Sequence, residues 1–444
     1  MHRTIDFHLK KWRKKPKRKP LLIRGARQVG KTHSVRALGQ RFKRYIEINF
    51  EKVNMEGVFA KDLDPVRILR EISLMTGQHI IPGETLLFLD EIQLVPRAIT
   101  ALRYFYESMP ELHVIGAGSL LDFVLESVSM PVGRISFLYM YPLSFLEFLK
   151  ALKQELLIAE LIDHVPTMPL SDPVHQQLLN YFGMYIAIGG MPEVVQSWID
   201  NQVLAECSQV HRELIESYRQ DFQKYSKTSQ LKYVELLFNK IPQCLGEKIQ
   251  FHSLSDSYRK RELAPCLDLL TKANVICKVQ HTSGNGIPLG AEVDTEKFKA
   301  IFLDVALCQS ILGADLKDWM LHPNQNFVNK GPLTEAMVGQ ELLAYQPPDK
   351  SPALYYWHRE MRGSQAEVDY LVQAEEHIIP VEVKSGLGHT LKSIQYFLES
   401  RPRAPYGVRF SLHPYSVYEN IRSYPLYSIA NAFAADKPAL WSLV

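Results

Sequence analysis

The sequence predicts an α/β fold built on a parallel sheet, because short apolar runs alternate with helical patterns in its first part. The apolar runs cover residues 21–24, 45–50, 85–89 and 112–117. A glycine-containing loop follows the first run and leads into a helix predicted over residues 33–42. The unbroken apolar run at 85–89 is typical of a strand buried on both faces of a parallel sheet. In such a sheet, ligands bind where the strands end.

Length and composition indicate an ordinary globular protein with several cores. The chain has 444 residues, of which 46% are hydrophobic and 22% are charged. Chains of this length divide into domains, and we expect about two to four of them. The net charge is +3, but residues 1–20 hold nine Lys or Arg and one Asp, which gives +8. The rest of the chain therefore carries about −5 and gives no general indication of nucleic-acid binding.

The basic leader, residues 1–20, leaves two interpretations open. Its charges could bind an anionic partner, either nucleic acid or a membrane surface. Alternatively, it is a solvated helix end and linker, with Leu9 and Trp12 docking on the next domain. We favour the second interpretation, because runs of charge are usually solvated. The leader lacks the apolar segment of a secretory signal.

The cysteines and the apolar segments bear on the compartment. Five cysteines lie far apart without a C-x-x-C pair, which favours reduced thiols and disfavours disulfides or a zinc site. The chain contains no stretch of 18 apolar residues that is free of charged residues and proline, so no membrane span is expected. We expect a cytoplasmic protein. The cysteines are Cys207, Cys244, Cys266, Cys277 and Cys308.

Residues 25–32, called the P-loop below, match the phosphate-binding pattern G-x-x-x-x-G-K-[ST]. The glycines permit a sharp turn, and the helix that follows presents unpaired N–H groups to an anion. Lys31 would reach the β- and γ-phosphates of ATP, and the Thr32 hydroxyl would hold Mg²⁺. The residues expected to surround the nucleotide are Gly25, Ala26, Arg27, Gln28, Val29, Gly30, Lys31, Thr32 and His33.

Two carboxylates follow the buried run at 85–89. Asp90 would hold Mg²⁺ through water, and Glu91 would polarise the attacking water. Alone, this pair at a strand end is mostly structural, but after a P-loop it indicates ATP hydrolysis. Ser119, after the next strand, lies where many such ATPases keep a polar sensor of the γ-phosphate. An ordinary Gly-Ser turn is the equally weighted alternative.

Several motifs together resemble a known family. They are Gly-Ala-Arg-Gln-Val-Gly-Lys-Thr at 25–32, Leu-Asp-Glu-Ile-Gln at 89–93, Gly-Ser at 118–119, Gly-Arg at 133–134, Tyr-Pro-Leu-Ser-Phe-Leu-Glu-Phe at 141–148 and Gly-Gly-Met-Pro-Glu at 189–193. They resemble predicted prokaryotic ATPases of the AAA+ superfamily, in which the ATPase core is joined to a C-terminal domain of unknown function. The resemblance covers essentially the whole chain. It implies an AAA+-like ATPase with a helical lid, and it makes Arg134 a candidate cis or trans arginine finger. A surface arginine is the equally weighted alternative.

Residues 249–279 predict a helix, a turn, a second helix and a strand, which is the outline of a winged helix. Arg259, Lys260 and Arg261 lie at the entry of the second helix and could contact DNA. The alternative is a winged helix that serves packing within the protein. We prefer it, because the body of the chain is slightly acidic.

The C-terminal part holds a second group of charged residues. Strands predicted at 365–372 and 378–384 carry Asp369, Glu382 and Lys384, and a helix before them carries Glu335. The pattern resembles restriction-endonuclease-like nucleases. There, Asp369, Glu382 and Glu335 would bind Mg²⁺, and Lys384 would stabilise developing negative charge. Plain cross-strand ion pairs in an inherited, inert fold are the alternative. We favour it, because Val368 stands where the best-known nuclease motif has proline.

These inferences give one predicted organisation. It comprises a basic leader (1–20), a P-loop AAA+-like core (21–150), a helical lid and connector (151–230), a winged-helix-like region (231–315) and an endonuclease-like α/β domain (316–444). The expected function is Mg²⁺-dependent ATP binding and hydrolysis, coupled to conformational change in the C-terminal domains. The alternatives are an ATP-regulated, metal-dependent DNA nuclease or DNA-binding protein, and a slow ATP-binding switch. DNA, a protein partner and further copies of the chain are the candidate partners, and no membrane is expected.

Overall fold

The computed structural model describes residues 1–125, 133–255, 257–361, 364–384 and 391–444. Within these residues, the chain forms two compact units, and each is built on a sheet of its own. The first unit contains Met1–Tyr141, Pro347–Ser351 and Leu443. The second unit contains Pro142–Gln346, Pro352–Ser442 and Val444.

The first unit alternates helices with strands after an N-terminal helix. Its helices are α1 (Thr4–Lys14), α2 (Lys31–Gly39), α3 (Glu56–Ala60), α4 (Pro65–Thr76), α5 (Pro96–Ser108) and α6 (Leu121–Leu125). Its strands are β1 (Leu21–Arg24), β2 (Arg44–Asn49), β3 (Thr85–Asp90), β4 (His113–Ala117) and β5 (Ser136–Tyr139).

The five strands form a parallel sheet in the order β2-β3-β4-β1-β5. Strands β3 and β4 are buried along their whole length, as the apolar runs predict. Ile72 of α4, Leu102 and Phe105 of α5, and Leu87 and Val114 of the sheet belong to one apolar core. The predicted parallel sheet is confirmed, and its strands end at the edge where the P-loop lies.

The ends of two helices in the first unit follow from local contacts. Helix α2 spans Lys31–Gly39 rather than the predicted residues 33–42, because Arg41 and Phe42 bond three residues back, to Leu38 and Gly39, and so form a turn. Helix α4 begins at Pro65. The side chain of Asp64 caps α4 by accepting a bond from the Arg67 amide at 3.0 Å. An acidic cap followed by proline is a favoured helix start.

The leader docks on the first unit through one face of α1. Ile5, Leu9 and Trp12 are buried, at 5%, 0% and 7% exposure. The Trp12 indole donates to the Lys19 carbonyl at 2.8 Å and so ties the end of α1 to the segment before β1. The expected docking of Leu9 and Trp12 is confirmed. It places the basic residues of α1 on the face that does not dock.

The second unit combines many helices with one mixed sheet. Its helices are α7 (Phe145–Ala151), α8 (Glu155–Asp163), α9 (Asp172–Ile188), α10 (Pro192–Asn201), α11 (Leu204–Tyr225), α12 (Thr228–Lys240), α13 (Phe251–Leu254), α14 (Lys260–Lys272), α15 (Val305–Ile311), α16 (Lys317–Leu321), α17 (Pro323–Asn329), α18 (Gly331–Ala344), α19 (Lys392–Ser400), α20 (Ile429–Phe433) and α21 (Lys437–Trp441). Among all the residues described, no helix has the length and apolar character needed to cross a membrane.

The strands of the second unit form a sheet in the order β12-β13-β11-β10-β9-β8-β6-β7. They are β6 (Ile276–Thr282), β7 (Val293–Phe302), β8 (Leu354–Met361), β9 (Ser364–Ala374), β10 (His377–Lys384), β11 (Gly407–Ser411), β12 (Ser416–Tyr418) and β13 (Ile421–Pro425). The predicted hairpin is present as antiparallel β9 and β10. The strand predicted near residue 275 is β6, which pairs with β7 and also lies parallel to β8. This region therefore continues the sheet of the C-terminal part.

Two motifs of the sequence meet where the second unit begins. The Leu143 amide donates to the Gly190 carbonyl at 2.6 Å, and the Gly190 amide donates to the buried Asp304 carboxylate at 2.7 Å. A Cβ on Gly190 would lie 2.3 Å from the Leu143 carbonyl oxygen, so only glycine fits. The motifs at 141–148 and 189–193 thus pack against each other.

Candidate functional site

The P-loop connects β1 to α2 at the edge where the strands of the first sheet end. Gly25 and Gly30 have φ values of +141° and +102°, which glycine adopts readily. A Cβ on Gly25 would lie 2.1 Å from the Met140 carbonyl oxygen. No side chain caps the N-terminus of α2 at Gly30, so the amides of its first turn can serve an anion.

Lys31 is buried in the P-loop, with 7% exposure. Its Nζ donates to the carbonyls of Gly25 at 2.9 Å and Ala26 at 2.6 Å. Burial lowers the pKa of Lys31 to about 8, although Glu91 and Asp90 oppose this shift. Lys31 therefore stays mostly protonated near pH 7, beside the place where an anion would bind.

Thr32 and Asp90 meet although they are far apart in the sequence. Thr32 Oγ1 lies 3.1 Å from Asp90 Oδ2, and Asn49 Nδ2 lies 3.3 Å from the same oxygen. Asp90 is 5% exposed, and burial, followed by the neighbouring Glu91, raises its pKa. A hydroxyl beside a carboxylate is the oxygen-donor set that Mg²⁺ prefers. The residues present therefore fit the predicted metal.

Glu91 and Ser119 complete the set predicted at this edge. Gln93 Nε2 donates to Glu91 Oε2 at 2.5 Å. Gln93 Oε1 and Ser119 Oγ are buried and have no hydrogen-bond partner among the described residues. Buried polar atoms without partners are costly, and they are typical of sites that bind a polar ligand. Ser119 lies directly after β4, on the same edge as Glu91.

Arg134 lies away from this group. It precedes β5, so it is at the edge of the parallel sheet where strands begin. Its Nε lies 3.0 Å from Glu107 Oε1, near the end of α5. Within one chain, the structure does not bring Arg134 together with the P-loop. A role in trans stays a prediction.

Two contacts near the P-loop were missed by the sequence analysis. Arg3 is 6% exposed and donates to the carbonyls of Val29 at 3.0 Å and Tyr141 at 2.8 Å. It therefore links the P-loop to the last residue before the second unit. Gln93 was quoted only as part of a motif. Its contact with Glu91 follows from the backbone turn after β3, which composition does not reveal.

The second charged group includes a lysine, Lys299, that the sequence analysis did not single out. Lys299 of β7 is 2% exposed, and its Nζ lies 2.8 Å from Glu335 Oε1 and 2.5 Å from Glu367 Oε1. The Lys384 ammonium pairs with Glu382 at 2.5 Å. The Val383 amide donates to Asp369 Oδ2 at 2.7 Å. A lysine within the apolar end of β7 was the signal that could have identified Lys299.

The electrostatics of this group reflect deep burial. Burial and the neighbouring Asp369 raise the pKa of Glu335 to about 8 and that of Glu382 to about 7. Burial would lower the pKa of Lys299, but the carboxylates of Glu335, Asp369 and Glu367 outweigh it and raise that pKa. Among the described residues, no three His, Cys, Asp or Glu side chains are arranged to hold a metal ion. The metal-site interpretation stays a prediction.

Two of the three basic residues at the start of α14 make contacts within the second unit. Lys260 of α14 forms an ion pair with Glu296 of β7. Arg259 is the N-cap of α14, and its amide donates to Glu262 Oε2 at 3.0 Å. These contacts fit packing within the unit, the alternative that the sequence favours. DNA contact by Arg259, Lys260 and Arg261 also remains a prediction.

Comparison with known families supports the ATPase interpretation of the first part. Residues 17–149 match a family model described as an AAA domain, which supports an AAA+-like ATPase that binds and hydrolyses ATP. Residues 179–318 and 330–429 match two models described as domains of unknown function, DUF8612 and DUF4143. No curated protein matches the chain significantly.

Several solved structures are similar at low sequence identity. A Walker-type ATPase of Pyrococcus abyssi is 16% identical, over 70% of this chain and 94% of that one, with a TM-score of 0.44. The Orc1 protein of Aeropyrum pernix, solved with DNA, is 12% identical over 70% of this chain and 90% of that one, with a TM-score of 0.27. A STAND protein of Pyrococcus horikoshii is 11% identical, over 77% and 47%, with a TM-score of 0.26.

Proposed function

We propose that the first unit binds Mg-ATP at the P-loop and hydrolyses the bond between its β- and γ-phosphates. We also propose that hydrolysis changes the conformation of the C-terminal part. The observation that carries the proposal is the 3.1 Å approach of Thr32 Oγ1 to Asp90 Oδ2, beside the P-loop. It unites the two oxygen donors that the sequence assigns to the metal. Thr32 and Asp90 would hold Mg²⁺, which would neutralise the negative charge that develops on the phosphates during hydrolysis.

Each residue of the site has a separate task. Lys31 exchanges the carbonyls of Gly25 and Ala26 for phosphate oxygens, and its positive charge then stabilises the transferred group. Glu91 orients the attacking water and accepts its proton. Gln93 holds one Glu91 oxygen, so that the other can face the water. Ser119 donates its buried hydroxyl to the γ-phosphate.

The experiment is steady-state phosphate release from ATP, measured with and without Mg²⁺ on the full chain. We expect Lys31→Ala to abolish tight ATP binding and Glu91→Gln to retain binding. We expect Glu91→Gln to lower turnover by about 10²- to 10⁴-fold, the usual size of general-base catalysis. Lys61→Ala changes an exposed lysine of the same unit and should leave both quantities unchanged. A folded Lys31→Ala protein that still hydrolyses ATP would contradict the proposal.

A further inference from the structure

A cavity lies in the first unit, at the edge of the sheet opposite the P-loop. Its volume is about 1030 Å³, and it is broadly open to solvent. The end of α1 and the segment after it form one wall, with Arg13, Lys14, Lys17 and Arg18. Tyr106 of α5 and Phe42, which precedes β2, also line it. The ATP site proposed above does not involve this edge.

Two of the four cations of this cavity, Arg13 and Arg18, are positioned by contacts with neighbouring residues. Arg18 is 9% exposed, donates to the Glu111 carbonyl and lies 3.0 Å from His113 Nδ1. Its Nε is buried without a hydrogen-bond acceptor among the described residues. The Arg13 guanidinium lies 4.8 Å from the centre of the Phe42 ring. A buried guanidinium held by these contacts adds positive charge that water and salt screen only weakly.

The acidic residues nearby do not cancel this positive charge. Glu107 also lines the cavity, but it already pairs with Arg103 at 3.1 Å and Arg134 at 3.0 Å. Glu111 is then the remaining acidic residue of the lining, facing four cationic side chains. Burial, followed by Arg18, lowers the pKa of His113 to about 4, so His113 is neutral at physiological pH. The cavity therefore carries a clear positive excess.

We propose that this cavity binds the sugar-phosphate backbone of single-stranded nucleic acid. Proteins that bind single strands combine a positive groove with aromatic side chains on which bases stack. Here, the cations line a concave wall, and Tyr106 and Phe42 supply aromatic surface. The volume of this open cavity lies at the upper end of the range for ligand pockets, which suits a nucleic-acid strand that passes through it.

The test is fluorescence anisotropy of a labelled oligo(dT) of about 20 nucleotides, titrated with the full chain at several salt concentrations. Lys14→Ala/Lys17→Ala removes two cations of the cavity, and both residues are exposed, so the fold should persist. We expect at least about tenfold weaker binding. The salt slope should fall by about 1.4, since each phosphate contact on a single strand contributes about 0.7.

The matched control is Lys11→Ala/Lys15→Ala. It removes the same charge from the same segment, but neither residue lines the cavity. We expect less than threefold weakening. Equal losses in the two variants would show binding to net charge alone and would overturn the proposal. Absence of oligo(dT) binding by the unchanged protein would also overturn it.

Two further arms separate nucleic acid from other polyanions. Tyr106→Ala should weaken oligo(dT) binding by at least about fivefold, because it removes a stacking surface. Polyglutamate of matched charge should compete poorly with the labelled strand. If polyglutamate competes as well as unlabelled oligo(dT), the cavity recognises acidic polypeptide or general negative charge, and the proposal fails.

Discussion

Glu91 shows how single residues shape the site at the end of β3. Its φ of +52° lies in the left-handed region, which is uncommon for a residue with a side chain. Such conformations cost on the order of 1 kcal/mol and occur frequently at functional sites. The turn brings Gln93 Nε2 within 2.5 Å of Glu91 Oε2. We therefore infer that Gln93 is a positioning residue.

The first prediction concerns Gln93→Ala. Without the amide, the Glu91 carboxylate can rotate away from the attacking water, so we expect kcat to fall by about tenfold, the lower end of the losses usual for orienting residues. KM for ATP should change much less, because Gln93 does not contact the P-loop lysine in the structure. The measurement is steady-state hydrolysis over a range of ATP concentrations.

Gly118→Ala offers an independent test of the same contact. A Cβ at residue 118 would lie 1.8 Å from Gln93 Oε1, so Gln93 must move. We expect a similar loss of kcat. Gln78→Ala, at an exposed position of the same unit, serves as the control. An unchanged kcat in a folded Gln93→Ala protein would restrict Gln93 to packing.

The residue scale also shows what the sequence could predict about the site. The motif spacing identified Lys31, Thr32 and Asp90, because the position of a residue within a P-loop or at the acidic end of the strand indicates which ligand it contacts. Arg3 and Lys299 escaped detection. Their partners lie far away in the sequence, and only the packing of the folded chain brings them together.

At the scale of elements, one carboxylate connects three helices of the second unit. Glu341 of α18 is buried, and both of its oxygens lie 3.1 Å from the Phe145 amide at the start of α7. Tyr185 of α9 donates to the same carboxylate at 2.8 Å. Burial raises the pKa of Glu341 to about 7, although these hydrogen bonds oppose the shift. The contact thus depends on a group that titrates near neutral pH.

The second prediction follows from this pKa. The pKa in the folded state lies above the ordinary value of 4.5, so the contribution to stability is full below pH 4.5 and is lost as pH rises through 7. We expect the contribution to fall by about 3 kcal/mol between pH 4.5 and 8.5, at about 1.4 kcal/mol per pKa unit. Glu341→Gln cannot ionise and should lack this part of the pH dependence.

The measurement is denaturant unfolding of both proteins at pH 5 and pH 8.5. Trp319 and Trp357 belong to the second unit and report on it by fluorescence. Glu335 and Glu382 shift in the same direction, but they are present in both proteins. The difference between the two pH slopes therefore isolates Glu341. Identical slopes would mean that Glu341 does not titrate in this range.

At the scale of the whole molecule, the remaining question is whether copies of the chain act together. Arg134 is 47% exposed on its side chain and lies at the sheet edge opposite the P-loop. This position favours a role toward another copy over a role within its own chain, and both roles stay predictions. Assembly with nucleotide between subunits is common in the superfamily that the sequence resembles.

The third prediction tests this arrangement by mixing two inactive variants. Lys31→Ala retains Arg134 but cannot bind ATP, and Arg134→Ala retains the P-loop but lacks the finger. If fingers act between copies, an equal mixture should recover about a quarter of the unchanged rate, because random assembly pairs an intact P-loop with an intact finger at that frequency. Phosphate release from mixtures over a range of protein concentrations measures it.

Two outcomes would contradict the third prediction. If Arg134→Ala is as active as the unchanged protein, then its ion pair with Glu107 is structural, and its loss should cost at most about 1 kcal/mol of stability. If Arg134→Ala is inactive and mixing restores nothing, the arginine acts within its own chain, which the position before β5 argues against.

The sequence by itself determined the local features of this protein. Apolar runs bounded by turns predicted β1 to β4, and the glycine pattern located the P-loop. Buried strands and sharp turns each require particular residue types at neighbouring positions, so the sequence shows them directly. The hairpin of β9 and β10 followed from two strand patterns around a short polar turn. These features depend on residues close together in the sequence.

Only the tertiary structure decided which distant groups meet. Lys299 lies between Glu335 and Glu367. Arg134 lies at the sheet edge opposite the P-loop. Strand β6 pairs with β8 and so belongs to the sheet of the C-terminal part. The tertiary structure also placed the end of the basic leader along one wall of a cavity, where composition showed only a run of charge. Burial and long-range pairing are properties of the folded chain, since each depends on residues that the local pattern does not contain.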